Sequence, residues 1–210
     1  MSGMTTLPNI GLLGRLRSGK DEVARYISDN YGYTQFVFGD ELKRYAHELF
    51  GEPAPDEKPR ELYQWFGQTM RERDPDIWVR KCFEAIEQNR DSIPEELRRA
   101  HDFVTNGEVV LSVPARPFHA VVSDCRQPNE YAALQSAGYV LIRVEAPDAV
   151  RIDRAIKSGD VFNYADLAHD TETALDGFAA DFTVDNSGSL DALHAQIDEI
   201  VAYLSGEWPE

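Results

Sequence analysis

One short stretch near the start of the chain restricts its fold more than any other feature. The run Asn9–Asp21 reads NIGLLGRLRSGKD, an apolar segment followed by glycines and a lysine. Within it, Gly14–Lys20 matches the pattern G-x-x-x-x-G-K, in which glycines let successive backbone N–H groups point at phosphate oxygens. The apolar segment favours a strand before the loop, and a helix is expected to start near Gly19. The stretch therefore predicts a phosphate-binding loop, the alternative being a glycine turn formed by chance.

The residue after the lysine departs from the common form of this motif. Asp21 stands where a serine or threonine normally ligates Mg²⁺. A carboxylate is also a hard oxygen ligand for Mg²⁺, although it brings negative charge close to the phosphates. We therefore predict that ATP and Mg²⁺ bind here. The residues assigned to ATP are Gly14, Arg15, Arg17, Ser18, Gly19, Lys20 and Asp21, with Asp21 also assigned to the metal.

Composition limits the class of partner. The 210 residues include 21 Lys and Arg against 37 Asp and Glu, a formal net charge of −16. Such an acidic chain is a poor surface for nucleic acid or an acidic membrane, so small-molecule nucleotides are the expected partners. Two distant cysteines favour a reducing, cytoplasmic compartment over a disulfide framework. No apolar run approaches the length of a membrane span, and the sequence leaves a homodimer open.

The order of predicted elements is that of a parallel α/β protein. Strand, phosphate loop, helix and strand open the chain, and buried strands are predicted again at Phe118–Asp124, Tyr139–Val144 and Ala180–Asn186. Leu190–Leu204 is a strongly amphipathic terminal helix. We interpret the chain as one domain with a core formed by residues 7–51 and 118–205.

Residues 52–117 interrupt this alternation. Helical spacing of apolar residues predicts two helices, and Pro94 is predicted to open a third with Leu97 and His101 on one side. Val109–Val113 is a further short strand. We interpret the segment as a helical, acceptor-binding insertion over the carboxyl edge of the sheet, where ligands bind in open α/β folds.

Two tryptophans of this insertion could stack on a base. Trp65 and Trp78 each lie on an apolar helical stripe, however, and such stripes usually face a core. Core packing is therefore the expectation for both.

Two charged residues follow the predicted strand that ends near position 124. Asp124 is placed to hold Mg²⁺ or its waters, while the plainer interpretation is that it caps the following helix. Arg126 is predicted to clamp the acceptor phosphate, ideally with both arms of its guanidinium.

A helix that begins at Asp148 carries further basic residues at a spacing of three. Arg151 and Arg154 are predicted to close from a lid, about residues 151–175, and to stabilise charge on the transferring group. Together with Lys20 and Arg126 they form the predicted catalytic set. A solvated helix face is the alternative interpretation for the two lid arginines.

The acceptor is expected between the edge of the sheet and the insertion. Residues near that edge with suitable charge are Asp40, Lys43, Arg71, Arg73, Asp124 and Arg126. Phosphoryl transfer requires two phosphates in line, dry and surrounded by positive charge, which this set could provide.

Five segments resemble the bacteriophage-type deoxynucleoside monophosphate kinases, within the P-loop nucleotide kinases. They are Arg17–Asp21, Phe38–Lys43, Trp65–Trp78, Ser123–Glu130 and His169–Glu172. In that family an aspartate commonly follows the loop lysine, whereas Glu22 stands where a threonine is expected. The resemblance implies a three-layer P-loop kinase fold, with a mostly parallel five-stranded sheet, a helical insertion and a lid. It also implies transfer of the ATP γ-phosphate to a deoxynucleoside monophosphate, in host cytoplasm for a phage enzyme.

Related families leave the acceptor open. The ending Ala180–Ser189 also resembles dephospho-coenzyme A kinase, and by analogy with such kinases Asn186 would line the ATP site near adenine. The loop and Asp124-x-Arg126 also resemble animal-type phosphomevalonate kinase. A nucleotide-binding module without acceptor chemistry is the competing class. Glu172 matches the family but receives no role.

Overall fold

The computed structural model describes residues 7–54, 59–102, 107–114, 116–158 and 174–206. Seven strands and seven helices lie within this described part of the chain. In chain order they are β1 (Ile10–Leu13), α1 (Lys20–Tyr31), β2 (Thr34–Phe36), α2 (Phe38–Phe50), α3 (Arg60–Arg73), α4 (Ile77–Asp91), β3 (Glu95–Asp102), β4 (Gly107–Pro114), β5 (Ala120–Val122), α5 (Pro128–Ser136), β6 (Val140–Glu145), α6 (Asp148–Lys157), β7 (Phe182–Asp185) and α7 (Leu190–Ser205).

Five of the strands form one sheet in the order β2-β5-β1-β6-β7. All four neighbouring pairs in it are parallel, which confirms the predicted five-stranded parallel α/β sheet. β1 lies at the centre, with Ile10 opposite Val121 on one side and Val140 on the other. The loop that leaves β1 therefore emerges at the middle of the carboxyl edge, where ligands bind in open α/β sheets.

The two faces of the sheet bury different helices, because successive side chains of a strand point to opposite faces. Ile10 and Leu12 of β1 pack in one cluster with residues of α1 and α7, such as Ile27 and Leu193. Leu13 belongs to a second cluster with residues of α4 and α5. Helices thus cover both faces, and the predicted three-layer arrangement is confirmed.

The insertion is only partly helical. α3 and α4 match the two predicted helices and pack with α2 around Leu42, Phe66 and Trp78. The predicted third helix is wrong, because Glu95–Asp102 forms strand β3 and pairs antiparallel with β4. Leu97 is 77% exposed, so the apolar face that helical spacing suggested is not buried. The β-branched run of β4 supplies a pairing partner that local helical spacing does not reveal.

The two tryptophans differ in environment. Trp78 is buried in the α2–α3–α4 cluster, and its indole N–H donates to the carbonyl of Gly67 at 3.3 Å. Core packing is therefore confirmed for Trp78. It is wrong for Trp65, which is 56% exposed beside the exposed Phe50, because the adjacent Phe66 takes the interior position.

The lid at about residues 151–175 stays a prediction. Residues 151–157 belong to helix α6, as predicted, whereas residues 159–173, including Glu172, lie outside the described residues. Among the described helices, none combines the length and the apolar character needed to cross a membrane.

Candidate active site

The loop between β1 and α1 has the backbone that its glycines predict. Gly14 has φ +143° and Gly19 has φ +106°, both in the region that residues with a side chain rarely adopt. A Cβ atom at Gly14 would lie under 3.0 Å from the carbonyl oxygen of Val144. Glycine is therefore required at position 14 by conformation and by space. Helix α1 begins at Lys20, as expected for a phosphate loop.

The lysine of the motif folds back over its own loop. Lys20 is buried, and its ammonium donates to the carbonyl oxygens of Gly14 at 2.6 Å and Arg15 at 3.0 Å. These bonds place the ammonium inside the curl of the loop, where phosphate oxygens are expected. Ser18 is also buried, and its hydroxyl has no hydrogen-bond partner among the described residues. A ligand could therefore satisfy that hydroxyl.

A cavity of about 540 Å³, here called the Lys20 cavity, opens over the loop. It brings together residues that the sequence placed on both the ATP side and the acceptor side. Its lining is Leu16, Arg17, Gly19, Lys20, Asp21, Glu22, Ser123, Asp124, Arg126, Arg154, Asn186 and Leu190.

Asp124 links the end of β5 to the start of α2. Its carboxylate accepts the backbone N–H of Phe38 at 2.8 Å and that of Gly39 at 3.4 Å. Burial raises the pKa of this carboxyl above its ordinary value, while the hydrogen bond from Phe38 opposes the shift. The alternative that Asp124 caps the following helix is wrong, since Gln127 occupies the N-cap of α5.

Two carboxylates of the Lys20 cavity have the chemistry to hold Mg²⁺. Asp21 and Asp124 line the cavity together with the loop lysine. The described residues contain no cluster of three or more His, Cys, Asp or Glu that could hold a metal. Mg²⁺ at phosphate sites usually takes one or two carboxylates and completes its shell with phosphate oxygens and water. The donor set present therefore fits Mg²⁺ that arrives with a nucleotide.

A second cavity, the Arg71 cavity, lies between α3 and the start of α5. Its volume is about 450 Å³, and its lining is Gln68, Arg71, Glu72, Pro75, Arg126, Gln127, Pro128, Asn129 and Ala174. Arg126 lines both this cavity and the Lys20 cavity, so the two cavities share one arginine residue.

A third cavity of about 490 Å³, the Arg143 cavity, lies on the β6 side of the loop. Its lining is Gly14, Arg15, Ser18, Arg143, Val144, Glu145, Ala146, Pro147, Asp148, Arg151, Asp176 and Asp185. Arg15 donates from Nε and Nη2 to the two carboxylate oxygens of Asp176, and this ion pair lowers the pKa of the Asp176 carboxyl. The predicted ATP residues thus divide between the two sides of the loop.

The predicted lid arginines are held by the protein. Arg151 is 1% exposed, donating to the carbonyl of Leu16 at 3.0 Å and to Asp148 at 2.7 Å. Arg154 donates to the carbonyl of Ser18 at 3.3 Å and to that of Asn186 at 2.9 Å. The solvated-face alternative is therefore wrong for Arg151.

Three predicted acceptor residues lie outside all three cavities. Asp40 and Lys43 are exposed on α2 and pair with each other at 2.9 Å, one helical turn apart. Arg73 is exposed at the end of α3. Arg71, in contrast, lines the Arg71 cavity together with Arg126.

Comparison with known proteins is consistent with this geometry. No family model matches the sequence. A protein of Acanthamoeba polyphaga mimivirus, provisionally named deoxynucleotide monophosphate kinase, is 27% identical over 170 residues, or 72% of this chain and 85% of the relative. Shikimate kinase from Acinetobacter baumannii in complex with shikimate matches with a TM-score of 0.52, covering 99% of this chain and 98% of its own, at 13% identity. A gluconokinase from Sinorhizobium meliloti matches at 0.50, covering 97% and 99%, at 17% identity.

The chain has the fold of the P-loop kinases. The mimivirus relative confirms the resemblance to nucleotide kinases and supports the predicted ATP-dependent kinase activity.

Among the residues near the site that the sequence did not predict, Glu130 and Arg143 make defined hydrogen bonds to the backbone. Glu130 is buried, and its carboxylate accepts the backbone N–H of Arg126 at 2.8 Å and of Gln127 at 3.0 Å. The pattern Gln127-x-x-Glu130 is a capping signature that could have revealed it. Arg143 donates to the carbonyls of Leu175 and Phe178, contacts that depend on distant chain segments and leave no local signal.

Proposed function

We propose that this protein is a deoxynucleoside monophosphate kinase that transfers the γ-phosphate of ATP to a deoxynucleoside monophosphate, giving the diphosphate and ADP. The observation that carries the proposal is the meeting of the Lys20 cavity and the Arg71 cavity at Arg126. One cavity has a phosphate loop and the other has two guanidinium groups. A donor and an acceptor phosphate could therefore approach each other across one shared cation.

The Lys20 cavity is assigned to ATP. Backbone N–H groups of the loop and the start of α1 would bind the β- and γ-phosphates, and Lys20 would leave its carbonyl partners to pair with phosphate oxygens. Asp21 and Asp124 would hold Mg²⁺, which when bound neutralises charge on the phosphates. Because phosphoryl transfer depends mainly on positioning and electrostatic stabilisation, this donor set is sufficient chemistry for the ATP side.

The Arg71 cavity is assigned to the acceptor. Its volume of about 450 Å³ lies within the usual range for sites of small ligands. Arg126 and Arg71 are suited to the acceptor phosphate, since a guanidinium binds phosphate oxygens in pairs. Gln68 and Glu72 of α3 offer polar groups to the nucleoside. The name of the mimivirus relative supports a deoxynucleotide as the acceptor.

The test is an assay of ADP release with ATP and Mg²⁺. Acceptors are the four deoxynucleoside monophosphates, one ribonucleotide, dephospho-coenzyme A, phosphomevalonate and no acceptor. Turnover confined to one or more deoxynucleotides is expected. Turnover with another acceptor alone would keep the kinase chemistry and contradict the substrate.

A variant links the activity to the loop. Lys20→Ala is expected to lower turnover by about a hundredfold or more, because the cation next to the transferring phosphate is lost. A folded protein that binds ATP but turns over none of these acceptors would instead support a nucleotide-binding module.

A further inference from the structure

Side chains from outside the phosphate loop bind three consecutive carbonyl groups of that loop. The carbonyl oxygen of Ser18 accepts from the amide nitrogen Nδ2 of Asn186 at 2.8 Å and from Nη1 of Arg154 at 3.3 Å. The carbonyl of Arg17 accepts from the same Nη1 at 3.4 Å. The third, that of Leu16, is bound by Arg151, as described above. The outer side of the loop is therefore held at successive peptide groups.

The amide of Asn186 is committed to these contacts. Asn186 is 2% exposed, and its backbone N–H donates to the carbonyl of Glu145 at 2.7 Å, which fixes the residue beside the end of β6. Its Oδ1 accepts from Nη2 of Arg154 at 3.1 Å. Both polar ends of the side chain are thus bound to protein, one to the loop and one to Arg154.

The contact with the loop depends on Gly19. A Cβ atom at position 19 would lie under 3.0 Å from Nδ2 of Asn186, so the amide fills the space that a side chain there would need. Glycine at this position therefore serves the contact with Asn186 as well as the turn of the loop.

Holding a carbonyl also directs the N–H of the next residue. In a trans peptide the carbonyl and the N–H point in opposite directions, and the described residues contain no cis peptide. With the Ser18 carbonyl directed at Asn186, the Gly19 N–H points the other way. The same argument applies to the Arg17 N–H, which follows the carbonyl held by Arg151.

We propose that Asn186 is a positioning residue of the phosphate loop, supported by Arg151 and Arg154, and that it does not contact adenine. Its role is to hold the loop so that N–H groups face the phosphates before ATP arrives, which removes part of the ordering cost of binding. This inference rests on the proposed function only in that the loop binds phosphate.

The test uses a ligand with phosphates but no base. Binding of inorganic tripolyphosphate and of ATP, each with Mg²⁺, is measured by calorimetry for the full chain and for Asn186→Ala. Losing one orienting hydrogen bond is expected to weaken both ligands about tenfold and to the same extent. Unchanged tripolyphosphate binding combined with weaker ATP binding would overturn the proposal, because it is the result expected for an adenine contact.

A matched variant removes an asparagine side-chain amide that lies away from the phosphate loop. Asn30→Ala removes an Nδ2 donor to the carbonyl of Tyr26, at 2.9 Å, near the exposed end of α1. It is expected to bind tripolyphosphate as the unchanged chain does. Where Asn186→Ala does not fold, Asn186→Leu fills a similar volume without polar atoms, and normal tripolyphosphate binding by that variant would also overturn the proposal.

Failure of this inference is distinguishable from failure of the proposed function. If the unchanged chain binds neither ATP nor tripolyphosphate, the phosphate-loop assignment itself is contradicted. If it binds both and the Asn186 variants bind equally well, only the positioning role is contradicted. A positioning role also predicts that the Asn186 variants keep an unchanged KM for the acceptor. A general loss of structure would change that KM as well.

Discussion

The carboxylate of Glu130 accepts the backbone N–H of Arg126, with 2.8 Å between oxygen and nitrogen. This contact holds the start of α5 at the place where the Lys20 cavity and the Arg71 cavity meet. Burial raises the pKa of Glu130 from 4.5 to about 7, although the two N–H groups that it accepts oppose the shift. A group that titrates near neutrality therefore lies directly behind the proposed phosphate clamp.

Glu130→Gln is expected to flatten the dependence of stability on pH. Between pH 4.5 and about 7 the folded chain keeps a proton on Glu130 that the unfolded chain has released. The free energy of unfolding therefore falls as pH rises through this window, by roughly 3 kcal/mol for this group. Urea unfolding across the window measures the slope. Glu199→Gln, on the exposed side of α7, controls for loss of one carboxylate, and equal slopes in all three proteins would contradict the prediction.

Arg126→Lys is expected to impair the acceptor site selectively. A lysine keeps the positive charge but cannot bind two phosphate oxygens in a fork, so the KM for the acceptor should rise about tenfold while the KM for ATP changes little. Steady-state kinetics with each substrate varied in turn separates the two effects. Arg73→Lys is the matched control, since Arg73 lies outside the three cavities. A rise in the KM for ATP alone would contradict the prediction, because it would assign Arg126 to the ATP site.

Gly14→Ala is expected to lower the free energy of unfolding by about 1–3 kcal/mol more than a comparable glycine replacement. Its Cβ would meet the carbonyl of Val144, in addition to the strain of a positive φ. Gly32→Ala provides the comparison, because Gly32 also has positive φ (+72°) but has nothing within 4 Å of an added Cβ. Chemical unfolding of both variants isolates the clash, and similar losses would show that the loop relaxes around it.

The two tryptophans of the insertion are expected to differ sharply when truncated. Trp78→Ala should cost about 3–5 kcal/mol, because it opens a cavity among α2, α3 and α4 and removes the hydrogen bond to Gly67. Trp65→Ala should cost well under half of that, since more than half of its surface is exposed. Thermal unfolding of the two variants gives the comparison, and similar losses would place Trp65 in a buried contact.

Prediction from the sequence succeeded where the determinant was local. The glycine and lysine spacing of Gly14–Lys20 requires a particular backbone curl, and the structure has it. The alternation of apolar strands with amphipathic helices indicated the parallel sheet for the same reason. Prediction from the sequence failed at Glu95–Asp102. Strand formation there depends on pairing with β4 and not on the spacing of apolar residues within the segment itself.

The site divides in the same way. The sequence by itself determined the loop, the chemistry of Lys20 and the acidic residues available for a metal, since residue type and spacing carry that information. Only the tertiary structure decided that Asp124 binds the start of α2 and that the side chain of Asn186 donates to the loop carbonyl of Ser18, 168 positions away. The physical reason is that each of these contacts depends on which buried surfaces meet when the sheet and its helices pack, and no local pattern in the chain encodes that.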